Sequence, residues 1–257
     1  MIKNNLVLDV PPGIGLFGLA FEKEGYCLVM GPDLLWGRDM RDWHPPKGTF
    51  EGIIGGPPCQ EFSRMRHMLE ATGKLPRFGN LIPEFERIIY EAQPDWFVME
   101  NVSDAPIPVV SGYTVHDYLL NNRFFGGVAH RVRRFSFGSP QGYELQFEVV
   151  AFEALEWQYA VTSDGRQIPV KYLKGGKPKR VTVLAADTPT PGQRRGGTNY
   201  RTLEENCLLQ GLPPDFTKYM PFLKSAKYEI IGNGVPLLMG RAVAKAVGQA
   251  ILTGAGK

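Results

Sequence analysis

The chain has 257 residues, 43% hydrophobic and 21% charged, enough to bury a sizeable core as one domain or one domain with an insert. Its formal net charge of +3 is too mild to attract a polyanion by itself, so any affinity for nucleic acid must come from a local patch. Three scattered cysteines, Cys27, Cys59 and Cys207, argue against a disulfide framework and for a reducing, intracellular compartment. No CxxC or His-x-x-x-His spacing points to zinc, so no metal is expected. No apolar run approaches the roughly 20 residues of a membrane span, and the start enters a strand at once, too early for a signal peptide.

Residues 6–10 read as a first buried strand that runs into Pro11-Pro12-Gly13-Ile14-Gly15. Residues 16–23 then have helical apolar spacing at Leu16, Leu19 and Ala20. Strand, glycine turn and helix together place free N–H groups at a helix start beside a ligand, although G-x-G also serves plain tight turns. Asp9, at the strand's end, adds a carboxylate able to bind ammonium or hydroxyl groups. Residues 27–30 form a short second strand, followed by Gly31-Pro32-Asp33. Asp39 lies in a polar stretch before a third strand at 52–54.

That third strand leads into Gly55-Gly56-Pro57-Pro58-Cys59-Gln60. Two glycines allow the turn and two prolines stiffen it, so Cys59 emerges at a strand's carboxyl end, where ligands bind in open α/β sheets. A lone cysteine is ordinarily a small buried hydrophobe; on this rigid turn it is a candidate nucleophile. The irregular stretch 61–78 carries Arg64, Arg66, His67, Lys74 and Arg77. It fits a lid closing over a polyanion, with a solvated surface loop as the alternative.

Residues 81–92 form an amphipathic helix, with Pro83 in its first turn. Residues 96–99 form a fourth strand ending in Glu100-Asn101-Val102. A carboxylate there, flanked by apolar groups, is expected to bind its proton more tightly and to donate a hydrogen bond or act as an acid. A cap or a buried ion pair is its other role. Residues 115–121 read as a helix and 124–127 as a turn. In residues 130–138, alternation sets Arg131, Arg133 and Phe135 on one strand face and Val132, Arg134 and Ser136 on the other. An arginine near an acid and a thiol suits a guanidinium fork for a base carbonyl or phosphate.

From residue 141 the pattern changes to aromatic, β-leaning runs at 147–152 and 157–161. A basic, glycine-rich stretch follows, with Gln193, Arg194 and Arg195 in a glycine loop. This concentration of charge reads as phosphate and base contact, against a flexible basic loop without specificity. Cys207 sits on the apolar side of a helix and is read as structural.

Several motifs stand in the order and spacing of one family: Asp9-x-x-x-Gly13-x-Gly15, Pro57-Pro58-Cys59-Gln60, Glu100-Asn101-Val102 and Arg131-x-Arg133. Leu208-Leu209-Gln210-Gly211-Leu212-Pro213 and Gly232-Asn233-Gly234-Val235-Pro236 complete the set. The chain closely resembles the cytosine-5 DNA methyltransferases of prophage and restriction-modification type, over nearly all its length except roughly residues 140–199. The resemblance implies an α/β fold, a doubly wound S-adenosylmethionine-dependent methyltransferase sheet with a small target-recognition domain. Residues 1–140 are then the catalytic domain and 141–199 the recognition domain. Residues 200–257 are the connecting helix and the return to the catalytic domain, with a closing helix at about 237–251.

The resemblance also assigns roles. Cys59 attacks carbon 6 of a flipped-out cytosine, Glu100 holds ring nitrogen 3 and the exocyclic amine, and an arginine holds the base carbonyl. In one register the arginine motif supplies Arg131 and Arg133, with Ala129 or His130 replacing its leading glutamine; in the other only Arg134 survives. The first is preferred. S-adenosyl-L-methionine is the implied cofactor, held by Asp9, Pro11, Gly13, Ile14, Gly15, Asp33, Asp39, Pro58, Asn233 and Val235. Asp33 is the candidate for the ribose and Asp39 for the adenine. Gln60, Ser63, Arg64, Arg66, Gln193, Arg194 and Arg195 are the implied nucleic-acid contacts. Pro11 stands where the family usually has an aromatic on adenine, and Leu16 where it has a second glycine; both bear on cofactor affinity rather than on the fold. The expected partner is double-stranded DNA, met by a monomer in the cytoplasm of a bacterial or phage-infected cell, with a companion restriction endonuclease left open. Transfer-RNA cytosine methylation and a catalytically impaired DNA-binding regulator are the alternatives.

Overall fold

The computed structural model describes residues 5–58, 79–149 and 202–254, and the backbone of two short strands at 159–161 and 167–169. The chain forms two compact units. The first comprises Met1–Leu120, Val132–Phe147 and Gly240–Lys257, and the second Asn121–Arg131 and Glu148–Met239.

The first unit is built on strands β1 (Leu6–Asp9), β2 (Cys27–Met30), β3 (Gly52–Gly55), β4 (Trp96–Asn101), β5 (Thr114–Asn121) and β6 (Val132–Ser139). They form one six-stranded sheet in the order β2-β1-β3-β4-β6-β5. β1 runs parallel to both β2 and β3, β3 is parallel to β4, and β6 is antiparallel to β4. β3 and β4 are buried along their whole length, as central strands covered on both faces are. Alternation divides their side chains. Leu8, Val10, Ile53, Phe97 and Met99 pack with Phe85, Ile88 and Ile89 of helix α2 (Ile82–Ala92). Around helix α1 (Leu16–Glu22), Phe21 stacks on Trp96 at 5.8 Å and Phe17 meets Phe135 at 5.8 Å.

Helix α2 starts with Pro83 in its first turn and stops at Gln93, which takes the left-handed conformation (φ 51°) just before Pro94. Residues 115–121 are a strand, β5, rather than the expected helix. Val115, Tyr118 and Leu119 have helical spacing, but at the sheet's edge β5 is mostly half-buried or exposed. An edge strand of that kind carries no clean two-residue alternation to read.

In the second unit, β7 (Tyr159–Val161) and β8 (Gln167–Pro169) pair antiparallel. Helix α3 (Leu203–Leu209) opens with a capping box between Thr202 and Glu205. Helix α4 (Lys224–Asn233) follows; the last helix, α5 (Leu237–Gly254), belongs to the first unit from Gly240 onward. Cys207 is fully buried on α3. Contrary to the expectation that no apolar run nears membrane-span length, Lys224–Gly254 is long and apolar enough to cross one by composition alone. Val243, Ala244 and Val247 of α5 are fully buried, and Tyr26 Oη donates to the Ala244 carbonyl at 3.3 Å. These are the features of a core helix.

Candidate active site

β1, β3 and β4 carry their motifs to the carboxyl end of the sheet. After β1 the chain passes through a cis Val10–Pro11 bond, and Gly13 and Gly15 take positive φ (56° and 75°), which only glycine adopts readily. The loop is held from one side by the segment after β2. Asp33 Oδ2 accepts from Gly13 N at 2.8 Å, its Oδ1 accepts from Leu35 N at 2.7 Å, and Trp36 Nε1 donates to the Gly13 carbonyl at 2.7 Å. Asp33 therefore braces the loop; both of its oxygens already accept backbone N–H groups. Trp36, half-exposed at the loop's lip, was not singled out from the sequence, where a lone tryptophan in a loop carries no pattern.

Asp9 is buried, and its Oδ2 accepts from Gly18 N, in the first turn of α1, at 3.1 Å. Burial, aided by repulsion from Asp33 and opposed by the Gly18 bond, pushes its pKa up to about 8. Asp39 caps the 3-10 turn Met40–Asp42, accepting from Arg41 N at 2.9 Å. Its carboxylate is also paired with the Arg41 guanidinium, whose hydrogen bonds hold the Asp39 pKa below its ordinary value. Pro11, Ile14 and Pro58 are half-buried.

The turn after β3 is stitched to the end of β4. Asn101 Nδ2 donates to the Pro57 carbonyl at 3.2 Å, and its Oδ1 accepts from Val102 N at 2.9 Å. A methyl group placed on Gly56 would stand 3.1 Å from Glu100 Oε2, so glycine is what allows the carboxylate this close to the turn. Glu100 does not sit among apolar groups alone: Arg133 Nε lies 2.9 Å from its Oε1. That ion pair bears on the arginine register, for it is Arg133 that meets Glu100. Arg134, on the opposite strand face, binds the Ser103 carbonyl through Nε (3.1 Å) and Nη2 (2.6 Å) and pairs with Asp117 at 2.8 Å. It secures the loop that follows Glu100.

In the second unit, buried Arg131 donates from Nη2 to the Asn233 carbonyl at 3.0 Å. Gln210 Nε2 donates to the Ile231 carbonyl at 2.6 Å and the Gly234 carbonyl at 3.2 Å, and the Gln210 carbonyl accepts from Leu237 N at 2.9 Å. Gln210 thus fixes the Gly232–Pro236 turn, in which Val235 is buried and Asn233 exposed. It lay inside a quoted motif, yet its partners 21 and 24 residues away are visible only in the fold. Cys59, Gln60, Ser63, Arg64, Arg66, Gln193, Arg194 and Arg195 lie outside the described residues.

A family model described as C-5 cytosine-specific DNA methylase matches residues 38–105. Type II methyltransferase M.HgiGI of Herpetosiphon aurantiacus is 46% identical over 126 residues, 38% of this chain and 90% of the relative. M.HgiDI of the same organism is 28% identical across 90% of both chains. Among solved structures, Entamoeba histolytica methyltransferase EhMeth shares the fold with a TM-score of 0.60 at 13% identity, covering 97% of this chain and 99% of that one. A DNA modification methyltransferase encoded within an Escherichia coli prophage aligns with a TM-score of 0.53 at 16% identity, over 96% and 99%. The sheet, its small additional unit and these likenesses lead to one conclusion: the chain belongs to the cytosine-5 methyltransferase family and is an S-adenosylmethionine-dependent methyltransferase.

Proposed function

We propose that this enzyme methylates carbon 5 of a cytosine drawn out of its stack in a nucleic acid, through a transient bond to Cys59. The observation that supports this most is the Glu100–Arg133 pair beside the Gly56-Pro57 turn, which Cys59 follows two residues later in the sequence. An acid and a guanidinium held together at a strand end match the amidine edge and the carbonyl of a cytosine. Attack by the Cys59 thiolate at carbon 6 moves the ring electrons toward carbon 5 and nitrogen 3, where Glu100 offsets the charge. Once carbon 5 is methylated, loss of its proton and departure of the thiolate restore the 5,6 double bond and the free enzyme.

The residues present fit the methyl donor that family membership implies. The buried carboxyl of Asp9, the braced glycine loop and the Asp33 and Asp39 carboxylates offer partners to an ammonium, hydroxyls and an exocyclic amine. Asp9, Gly13, Ile14, Gly15, Asp33, Asp39 and Pro58 are the residues of the first unit proposed to hold it. When bound, S-adenosylmethionine supplies the methyl group as an electrophile.

Double-stranded DNA as the target is supported by the family description and by the type II methyltransferase names of the relatives. Acting on DNA, the enzyme works as a monomer in the cytoplasm, with a restriction endonuclease as the companion that type II pairing suggests. Transfer RNA is the second reading, supported by the small variable region at 141–199, a feature shared with the transfer-RNA branch of the family. An impaired regulator is opposed by the intact Glu100–Arg133 pair. Incubation with labelled S-adenosylmethionine and either duplex DNA or transfer RNA separates the readings. Label in DNA cytosine supports the first, label only in transfer RNA the second, and label in neither overturns the enzymatic proposal.

A further inference from the structure

The turn that carries Asp39 is held from beneath by one side chain of helix α2. Arg87 Nη2 donates to the Met40 carbonyl at 2.9 Å and to the Trp43 carbonyl at 3.1 Å, closing both ends of the 3-10 turn Met40–Asp42. The guanidinium is itself fixed. Its Nε pairs with Glu84 Oε2 at 2.8 Å and its Nη1 with Glu91 Oε2 at 2.9 Å, the neighbours three back and four ahead on the helix. His44, just beyond the turn, meets Glu91 at 3.0 Å. An arginine on a surface helix ordinarily keeps its head in water; here it is three-quarters buried and held on every side. Met40 is buried in the same cluster as Val10, Ile53 and Phe85, so the turn rests on the core where β1 and β3 end.

The fork reads only backbone carbonyls of the turn, so it sets the height and direction of that turn whatever side chains the turn presents. The side chain presented at its start is Asp39, which caps it. We propose that Arg87 is a positioning residue for the methyl donor, acting through the Asp39 turn to orient the adenine contact. This rests on the reading that Asp39 meets the donor's adenine.

The test is calorimetric binding of S-adenosylmethionine to the full chain, with steady-state kinetics on the same preparations. Arg87→Met is expected to weaken donor binding about 10-fold, with kcat at saturating donor and KM for nucleic acid unchanged, and Arg87→Lys to recover part of the loss. Asp39→Ala is expected to weaken binding similarly, and the double variant to be no weaker than Asp39→Ala alone, because both act through one turn. Unchanged affinity in Arg87→Met, losses that add to those of Asp39→Ala, or a fall in kcat instead would each overturn the proposal. If Arg87→Met does not fold, Glu84→Gln retains the arginine but loosens one anchor. It is expected to weaken binding about 2- to 3-fold by the same coupling, and unchanged affinity there also overturns the proposal. A wild-type chain that binds no donor sinks the cofactor reading itself, an outcome distinct from donor binding that ignores Arg87.

Discussion

Arg133 and Glu100 meet at 2.9 Å across the antiparallel pair β4 and β6. Neither side chain is fully enclosed, with exposures of 20% and 11%, so the pair is sheltered enough to hold its geometry and open enough to face a ligand. Removing one partner strands the other charge in a poorly solvated place. Arg133→Ala is expected to lower kcat by about 100-fold and stability by about 1–3 kcal/mol. Combined with Glu100→Gln it should cost less than the sum of the two changes. Activity assays and urea titrations of the three variants check this.

The close approach of Gly56 to Glu100 yields a second expectation. A β-carbon at residue 56 would sit 3.1 Å from Oε2, so the carboxylate must shift by a few tenths of an ångström. Gly56→Ala should cut kcat by about 10-fold, the sensitivity expected when a catalytic group is misplaced, while the urea midpoint moves little. An unchanged kcat would show that Glu100 tolerates displacement.

Asp9 makes stability depend on pH. Its native pKa is about 8, against an ordinary value of 3.8, so between those values the folded chain retains a proton that the unfolded chain has lost. The contribution is fully present below pH 3.8, declines as pH rises through about 8, and is flat above that. Within the window the slope approaches about 1.4 kcal/mol per pH unit at most. Asp9→Asn keeps an acceptor for Gly18 N and removes the titration. Urea midpoints measured from pH 6 to 9 should fall for the wild type relative to this variant.

Gln210→Ala deletes a buried hydrogen bond to the Ile231 carbonyl and a partly buried one to the Gly234 carbonyl. The stranded carbonyls should cost about 1–3 kcal/mol, read by chemical denaturation, and local hydrogen exchange should accelerate around residues 231–237.

Strands β1, β3 and β4 were legible because largely buried strands read as short apolar runs, as in Ile53-Ile54 before Gly55-Gly56; β2, although mostly exposed at the sheet's edge, carries the same kind of run in Cys27–Met30. β5 was not legible, because its side chains sit at an edge where burial alternates poorly and Val115, Tyr118 and Leu119 imitate a helix. The proximity of Glu100 to the proline turn followed from their motifs. Arg133 as its partner required the β4–β6 register, which no local pattern fixes. The sequence offers nothing that singles out Arg87, since its partners, the Met40 and Trp43 carbonyls, are backbone atoms without a sequence signature.

The account turns on the sulfur of Cys59. A DNA duplex carrying 5-fluorocytosine at the target position, incubated with S-adenosylmethionine, tests it most directly, because fluorine cannot leave as the carbon 5 proton does and the adduct persists. The expected result is a denaturation-resistant complex whose cross-link maps to residue 59 and disappears in Cys59→Ser. A methylated product with no covalent complex, or a cross-link at any other residue, would contradict it.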